Sequence, residues 1–429
     1  MEGTEKKIPE RVFLAGLNAG IFTPEETATE KTLQELAALT ETAGGIPVGM
    51  LLQSRPAPDP HSFLGEGKAE ELAAAAQELG ADMVVFDNDL SPSQIRALED
   101  ITGLTVIDRS ALILDIFAQR AKTKEGRLQV ELAQYQYLLP RLSGMGRSLS
   151  RQGGGIGTRG PGETRLETDR RHIRERISLL RAELKEVRRV RGTQRRLREK
   201  NSIPVVALVG YTNAGKSTIL NTLTGAGIPA NNRLFDTLDT TTRRMAVSET
   251  TEALLSDTVG FIAKLPHNLI EAFQATLEEL QYADLLLHVI DASDPDREDH
   301  IAVAEKLISA LAPEIPVIRV YNKADLISPE ELPADKDALA ISAASGENID
   351  ALLGLIERKL NTGIRRVSLL LPYDRAGEVD RLHREAKVFS CEYENEGIRL
   401  EAALNREQQG RYRDCILPEK REDAAGDLP

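Results

Sequence analysis

The first 120 residues alternate short apolar runs with stretches of helical periodicity. The apolar runs predict strands at Arg11–Leu17, Ile46–Gln53, Met83–Asp87 and Leu104–Ile107. The periodic stretches predict helices at Pro24–Thr42, Gly67–Leu79 and Pro92–Ile101. Ser91 can cap the third helix, with Pro92 at its first position. Alternation of strands and helices indicates a mostly parallel sheet of the α/β class.

Two apolar stripes with helical spacing follow, separated by a glycine-rich segment. The first stripe runs through Leu128, Leu132, Tyr135, Leu139 and Leu142, and the second through Ile173, Ile177, Leu180, Leu184 and Val187. Steps of four and three residues place each set on one face of a helix. The two stripes predict an antiparallel helical hairpin, and packing against a neighbouring domain is the alternative.

The segment between the stripes, Ser143–Gly162, holds eight glycines, three arginines and no acidic residue. It is either a flexible linker or a thin probe of a crowded surface, since glycine permits close backbone approach and arginine binds phosphate. The second helix continues as an arginine-rich segment, Arg165–Lys200. Its lopsided charge favours polyanion binding over a solvated face with ion pairs.

The overall composition hides this basic region. The 429 residues carry 54 Lys and Arg against 67 Asp and Glu, and a net charge of −13 argues against a nucleic-acid partner. Residues 141–200 reverse the sign, with 18 basic and 7 acidic side chains. A hydrophobic share of 41% is enough for sizeable cores, and two cysteines exclude a disulfide framework. Without a long apolar run or a signal-peptide core, we expect a cytoplasmic protein.

A nucleotide site follows the basic region. The apolar strand VVALVG leads into Gly210–Ser217, which fits the pattern GxxxxGK[ST] between a strand and a helix. In this pattern backbone amides wrap the β-phosphate, and Gly215 leaves room for it. Lys216 neutralises the β and γ oxygens, and the Ser217 hydroxyl ligates Mg²⁺. The segment predicts a phosphate-binding loop with Mg²⁺ as its cofactor.

Three further motifs, each after an apolar run, indicate guanine as the base. They are Asp257–Gly260 (DxxG), Asn322–Asp325 (NKxD) and Ser342–Ala344. Asp257 can hold the metal through water, and the Gly260 amide can sense the γ-phosphate. The Asp325 carboxylate can accept from the N1 and N2 donors of guanine, where adenine offers an acceptor. Together the motifs predict a P-loop GTPase domain, a mostly parallel sheet with helices on both faces.

The residue after DxxG departs from the usual GTPase pattern. Many GTPases carry a water-orienting Gln there, and this chain has Phe261. An apolar ring cannot orient water, so we expect slow intrinsic hydrolysis that depends on a partner, another residue or a monovalent cation. Asn213, an amide inside the phosphate loop, leads to the hypothesis that K⁺ is a further cofactor.

A last module has the pattern strand, helix, strand, strand. Its segments are Val367–Leu371, Tyr373–Glu385, Ala386–Tyr393 and Gly397–Leu404. It carries no catalytic motif, and the final dozen residues predict disorder. The predicted domains are an N-terminal α/β domain (1–120), a basic helical hairpin (121–200), a GTPase domain (201–362) and a small C-terminal α+β domain with a disordered tail (363–429).

Several blocks along the chain resemble the HflX family of ribosome-associated GTPases. They are FLGEGKAEEL (63–72), FDNDLSPSQ (86–94), VIDRSALILDIFAQRA (106–121), LQVELAQYQYLLPRL (128–142), GGGIGTRGPGETRLETDRR (153–171), GYTNAGKST (210–218), LFDTLDTTTR (234–243), DTVGFI (257–262) and LPHNLIEAF (265–273). The GTRGPGE sequence is much more specific to this family than the GTPase motifs are.

The resemblance implies a hairpin loop that reaches toward the peptidyl transferase centre of the large (50S) ribosomal subunit, and contact with its rRNA. It also implies a role in splitting or rescuing stalled ribosomes under stress. The metal-binding threonine of the family, in its Phe-x-Thr-Leu-Asp pattern, corresponds to Thr237. Two positions depart from the family: Asp236 replaces a small residue, and Arg165 replaces a Gln. We expect Asp236 to weaken GTP affinity and Arg165 to favour RNA.

The candidate site residues follow from these motifs and from the resemblance. Catalytic roles are expected of Lys216, Thr237 and Gly260, and Mg²⁺ ligation of Ser217 and Thr237. Nucleotide contacts are expected of Gly210, Tyr211, Thr212, Asn213, Ala214, Gly215, Lys216, Ser217, Thr218, Phe235, Asp236, Thr237, Leu238, Asp239, Asp257, Thr258, Val259, Gly260, Asn322, Lys323, Ala324, Asp325, Ser342, Ala343 and Ala344.

The favoured interpretation is a monomeric GTP hydrolase that binds GTP, GDP and the large ribosomal subunit. One alternative is a GTP-dependent regulatory switch whose basic hairpin binds another RNA or, through peripheral association, an anionic membrane surface. A second alternative is a GTP-sensing RNA-binding module in which hydrolysis is incidental. A role of the N-terminal domain in binding a second nucleotide does not follow from the sequence.

Overall fold

The structure is a computed structural model of the 429-residue chain. It describes residues 9–23, 26–142, 161–200, 203–225, 227, 234–235, 241–258, 260–262, 264, 278–328, 330, 338–360 and 363–417, and among these the side chains of 161–166 and 191–200 are not described. Most of the glycine-rich loop (143–160), the segment 236–240 with Thr237, and the C-terminal tail lie outside the described residues.

A four-stranded parallel sheet forms the N-terminal part of the molecule. Its elements are β1 (Arg11–Ala19), α1 (Glu30–Ala43), β2 (Ile46–Arg55), α2 (Glu66–Glu78), β3 (Met83–Phe86), α3 (Pro92–Thr102), β4 (Thr105–Asp108) and α4 (Arg109–Arg120). The strand order is β2-β1-β3-β4, with every pair parallel. The four predicted strands are confirmed, and so is the Ser91 cap of α3.

Two features of this part differ from the sequence prediction. Helix α1 begins at Glu30 rather than near residue 24, because the Thr29 side chain accepts from the Thr32 amide and caps the helix there. Helix α4 was not predicted. It begins directly after β4 with no turn residues between the two elements, and seven of its twelve residues are buried.

An antiparallel helical hairpin follows, formed by α5 (Lys124–Arg141) and α6 (Pro161–Lys200). The two predicted stripes face each other in one apolar cluster, except that Leu142 lies outside it. The hairpin also packs on the N-terminal part, since the Tyr137 hydroxyl donates to Asp108 Oδ1 at 2.8 Å and Arg141 pairs with Asp108 Oδ2 at 2.7 Å. The two packing arrangements considered for the stripes are therefore both present.

A six-stranded sheet carries the nucleotide motifs. Its elements are β5 (Val205–Gly210), α7 (Lys216–Thr224), β6 (Thr241–Ala246), β7 (Glu252–Asp257), β8 (Leu285–Asp291), α8 (Arg297–Leu311), β9 (Val317–Asn322), β10 (Ala338–Ala340) and α9 (Ile349–Leu360). The order is β10-β9-β8-β5-β7-β6, and only the edge strand β6 is antiparallel to its neighbour. Strands β5, β7 and β9 therefore end at the same edge of the sheet, each at a nucleotide motif.

The C-terminal part is a three-stranded antiparallel sheet with the order β11-β13-β12. Its elements are β11 (Arg365–Leu371), α10 (Gly377–Glu385), β12 (Lys387–Glu394), β13 (Gly397–Leu404) and α11 (Arg406–Arg411). The predicted order of elements is confirmed, and α11 is an addition capped by Asn405. Within the described ranges, none of the helices has the length and apolar character needed to span a bilayer.

One apolar core continues from the N-terminal sheet into the GTPase sheet. It joins residues of α1 and α4, such as Leu36 and Phe117, to Tyr211, Phe235 and Phe261 around the nucleotide motifs. The Phe117 and Phe235 rings meet edge to face with their centroids 4.6 Å apart. The N-terminal part is thus packed directly against the phosphate loop and the segments that follow it.

Candidate nucleotide-binding site

The phosphate loop connects the end of β5 to the start of α7, and two of its glycines are fixed by close packing. Gly215 has a φ of +94°, and a Cβ there would lie 2.1 Å from Asn322 Nδ2. A Cβ at Gly210 would lie 2.1 Å from the Val289 carbonyl oxygen. Glycine is required at both positions by protein neighbours, in addition to the room that a phosphate needs.

Lys216 lies folded over the loop. Its side chain is buried, and Nζ donates to the carbonyl oxygens of Gly210 at 3.1 Å and Tyr211 at 2.8 Å. Burial lowers the pKa of Lys216 to about 8, although the nearby Asp257 charge opposes the shift. A phosphate next to Nζ would place a negative charge beside the Lys216 ammonium group and stabilise its charged form.

The Ser217 hydroxyl, a predicted Mg²⁺ ligand, lies beside the Asp257 carboxylate, which is predicted to hold the ion through water. Ser217 Oγ donates to Asp257 Oδ2 at 2.8 Å, where α7 begins and β7 ends. A hydroxyl and a carboxylate oxygen are ligands that suit Mg²⁺, which usually keeps several waters and takes phosphate oxygens as well. The residues present therefore fit the ion, and the third predicted contributor, Thr237, lies outside the described residues.

The base motifs are tied to the phosphate loop through Asn322. Its Nδ2 donates to the Ala214 carbonyl at 2.9 Å, and its Oδ1 accepts from the Ala343 amide at 3.0 Å. Lys323, with a φ of +61°, forms an ion pair with Asp291 at 2.6 Å. Asp325 is exposed on the turn Ala324–Leu326, where its carboxylate is free to meet a base.

Thr258 and Phe261 are buried, whereas Asn213 is exposed. The Thr258 hydroxyl donates to the Leu208 carbonyl at 2.6 Å and is fully buried. Phe261 is also buried, and its backbone pairs with that of the phosphate loop through Thr212 at 2.8 Å and Gly210 at 3.0 Å. Its ring is part of the core. Asn213 is exposed with a φ of +63°.

A buried charged cluster beside the phosphate loop belongs to none of the sequence motifs. We call it the interdomain cluster, and it consists of Glu35, Asp87, Arg109, Tyr211 and Lys264. Asp87 directly follows β3, and Arg109 begins α4 directly after β4. Charged residues at the carboxyl ends of parallel strands are the signal that could have revealed it.

Comparison with known proteins agrees with this geometry. Residues 30–118 match the family described as GTP-binding GTPase N-terminal, residues 120–198 the GTP-binding GTPase middle region, and residues 205–323 the 50S ribosome-binding GTPase. The chain is 48% identical to GTPase HflX of Caldanaerobacter subterraneus subsp. tengcongensis, over 95% of this chain and 94% of that protein. It is 47% identical to GTPase HflX of Escherichia coli, over 79% of this chain and 82% of that protein.

Among solved structures, the chain is similar to a GTP-binding protein of Sulfolobus solfataricus in complex with GDP. The identity is 20%, the coverage is 81% of this chain and 98% of that one, and the TM-score is 0.45. The sequence relatives are much nearer, and they extend over almost the whole chain. The chain is therefore a GTP-hydrolysing enzyme that belongs to the HflX family of ribosome-associated GTPases.

Proposed function

We propose that this GTPase binds the large ribosomal subunit through its basic hairpin, and that nucleotide state controls this association. In this proposal the GTP-bound protein enters the RNA-lined centre of the subunit and splits or rescues stalled ribosomes under stress. Hydrolysis then releases the protein. The match of residues 205–323 to the 50S ribosome-binding GTPase family supports the choice of partner.

The observation that carries the proposal is the charge on α6. This helix has 40 residues, which corresponds to about 60 Å. Four of its arginines, Arg171, Arg174, Arg181 and Arg188, are exposed, and none of them pairs with a carboxylate among the described side chains. Unpaired guanidinium groups along a long rigid helix suit the dense phosphate surface of rRNA.

The chemistry at the nucleotide would be divided among the four motifs. Ser217 and Asp257, with Thr237, would hold Mg²⁺, which supplies charge neutralisation at the β and γ oxygens. Lys216 would exchange its two backbone carbonyl partners for phosphate oxygens. Asp325 would accept from the guanine edge, and the Gly260 amide would bind the γ-phosphate.

The hydrolytic water needs a positioning group other than Phe261, whose ring is buried in the core. A contact that forms only on the ribosome would supply this positioning group, and GTP would then be hydrolysed mainly by the bound protein. A K⁺ ion near the exposed Asn213 is the second candidate for promoting hydrolysis, since it would add positive charge beside the phosphates. With the ribosomal contact, the isolated protein hydrolyses GTP slowly and the ribosome accelerates it, whereas with K⁺ the rate of the isolated protein depends on the cation.

The direct experiment is light scattering of intact ribosomes mixed with the protein and GTP or a non-hydrolysable analogue. The matched variant replaces residues 153–162 with a Ser-rich linker of equal length. We expect the natural chain to lower the scattering and the linker variant to bind nucleotide normally without splitting. Splitting by the linker variant would refute the role of the loop. Binding to anionic vesicles in preference to ribosomes would favour a membrane partner instead.

A further inference from the structure

Residues 260–262 and 264, which end and follow the DxxG motif and which we call the second switch segment, are attached to the N-terminal part by a buried ion pair. Lys264 lies four residues beyond Gly260, and its Nζ pairs with Asp87 Oδ2. The side chains are 7% and 0% exposed, so the pair is shielded from water. The same Asp87 oxygen accepts from the Thr32 hydroxyl at 2.6 Å, which fixes the carboxylate in place.

Asp87 is held in its charged form by its neighbours. Burial alone would raise its pKa, but the charges of Arg109 and Lys264 outweigh burial and leave the pKa below its usual value. Arg109 is itself almost fully buried, and its Nη1 donates to Asp87 Oδ1 at 2.8 Å. Lys264 is therefore anchored to an ionised group that cannot move independently of the N-terminal sheet.

The same cluster reaches the phosphate loop. Arg109 Nη2 pairs with Glu35 Oε2 at 2.5 Å, and Glu35 Oε1 accepts from the Tyr211 hydroxyl. The Tyr211 ring in turn stacks on His300, with 3.6 Å between the ring centroids. One connected set of side chains therefore joins the N-terminal part to both the phosphate loop and the second switch segment.

Two residues that contact the N-terminal part, Lys264 and Phe235, have a sparsely populated backbone conformation. Lys264 has a φ of +54° and Phe235 a φ of +57°. Phe235 meets the Phe117 ring of the N-terminal part at this position. Non-glycine residues stay in the left-handed region only where their surroundings hold them, and such positions are frequent in switch regions.

A restraint on the second switch segment affects the binding of GDP and of GTP differently. Gly260 lies close against Lys216, since a Cβ at Gly260 would be 2.9 Å from Lys216 Nζ. Binding of GDP recruits Lys216 to the β-phosphate. Binding of GTP must in addition bring the Gly260 amide to the γ-phosphate, which requires rearrangement of the segment that Lys264 anchors.

We propose that Lys264 and Asp87 set the preference of this enzyme between GTP and GDP, by tying the second switch segment to the N-terminal domain in an arrangement that GTP has to release. The inference rests on the assignment of Gly260 as the γ-phosphate sensor under the proposed function. The ion pair lowers the affinity for GTP and leaves the affinity for GDP unchanged. A partner that lifts the N-terminal domain would raise GTP affinity in the same way.

The test measures the affinities of the full-length chain for GDP and for a non-hydrolysable GTP analogue. Lys264→Met should raise affinity for the analogue about tenfold, within the 5–150-fold range of typical coupling between sites, and leave GDP affinity unchanged. Asp87→Asn should act in the same direction, and Lys264→Arg should restore the natural ratio. The control is Lys31→Met, which breaks the exposed ion pair between Lys31 and Asp296 that also joins the two parts.

Each outcome decides the matter. The inference would be overturned if folded Lys264→Met and Asp87→Asn proteins kept the natural ratio of analogue affinity to GDP affinity. It would also be overturned if both affinities fell equally. Gly260→Ala tests the premise separately: its Cβ would crowd Lys216 and Thr212 and so weaken both nucleotides, with the larger loss for the analogue because the Gly260 amide meets the γ-phosphate. If Gly260→Ala does so while the ion-pair variants keep the natural ratio, only this inference fails and the nucleotide assignment stands. If Gly260→Ala weakens the analogue no more than it weakens GDP, the premise fails and the inference fails with it.

Discussion

The side-chain amide of Asn322 donates to the Ala214 carbonyl at 2.9 Å and so joins the base motif to the phosphate loop. The same side chain accepts from the Ala343 amide at 3.0 Å, and it is 2% exposed. One buried residue thus connects three of the four nucleotide motifs. Recognition of the base and of the phosphates is therefore expected to change together when this side chain is altered.

Asn322→Ala should destabilise the fold and weaken nucleotide binding together. It leaves a buried carbonyl and a buried amide without partners, at a cost of about 1–3 kcal/mol for each group. Thermal unfolding and GDP titration measure the two effects. The control is Asn395→Ala, at an exposed turn of the C-terminal sheet. Equal unfolding midpoints in the two variants would show that Asn322 does not connect the motifs.

Asp325→Asn should shift the base preference from guanine toward xanthine. The carboxylate is an acceptor that suits the two donors on guanine, whereas an amide can donate to the oxygen that xanthine carries in place of the amino group. Competition between GDP and xanthosine diphosphate measures the preference. A variant that keeps the guanine preference of the natural chain would contradict the assignment of the base-binding carboxylate.

Nucleotide binding should take up a proton above the pKa of Lys216. Burial places that pKa at about 8 in this structure, and a bound phosphate should raise it toward or beyond the ordinary value. Affinity should be nearly independent of pH below 8 and should fall by as much as about tenfold per unit above it. Calorimetry in buffers of different ionisation enthalpy, one pH unit above 8, detects the uptake. Identical heats in all buffers would contradict a lowered pKa.

Asn213→Ser tests the hypothesis that K⁺ is a cofactor. Asn213 is exposed in the phosphate loop, where its amide oxygen can meet a cation beside the phosphates. The natural chain should hydrolyse GTP faster in K⁺ than in Na⁺, and the variant should lose this difference while keeping its GDP affinity. Turnover of the variant that still distinguishes the two ions would remove Asn213 from this role.

Much of the fold could be predicted because its signals are local. The strand before Gly210, the Ser91 cap and the facing stripes of the hairpin depend on patterns a few residues long. Helix α4 could not be predicted in the same way, because it begins directly after β4 with no turn residues between them.

The nucleotide motifs could be placed because each follows the end of a strand in one sheet. The interdomain cluster could not, since it joins Glu35 and Asp87 to Tyr211 and Lys264 across more than a hundred residues of chain. No short spacing records such a contact. The positions of Asp87 and Arg109 directly after strands are a local signal, but the packing of the two sheets is what shows that the cluster is buried.

The central claim is that nucleotide state controls binding to the large ribosomal subunit. The most direct measurement is co-sedimentation of the full-length protein with purified large subunits in GDP and in a non-hydrolysable GTP analogue, at several salt concentrations. We predict tight binding with the analogue, weak binding with GDP, and a steep loss of affinity with salt as arginine contacts to phosphate are screened. Equal binding in both nucleotides, or no binding in either, would contradict the account.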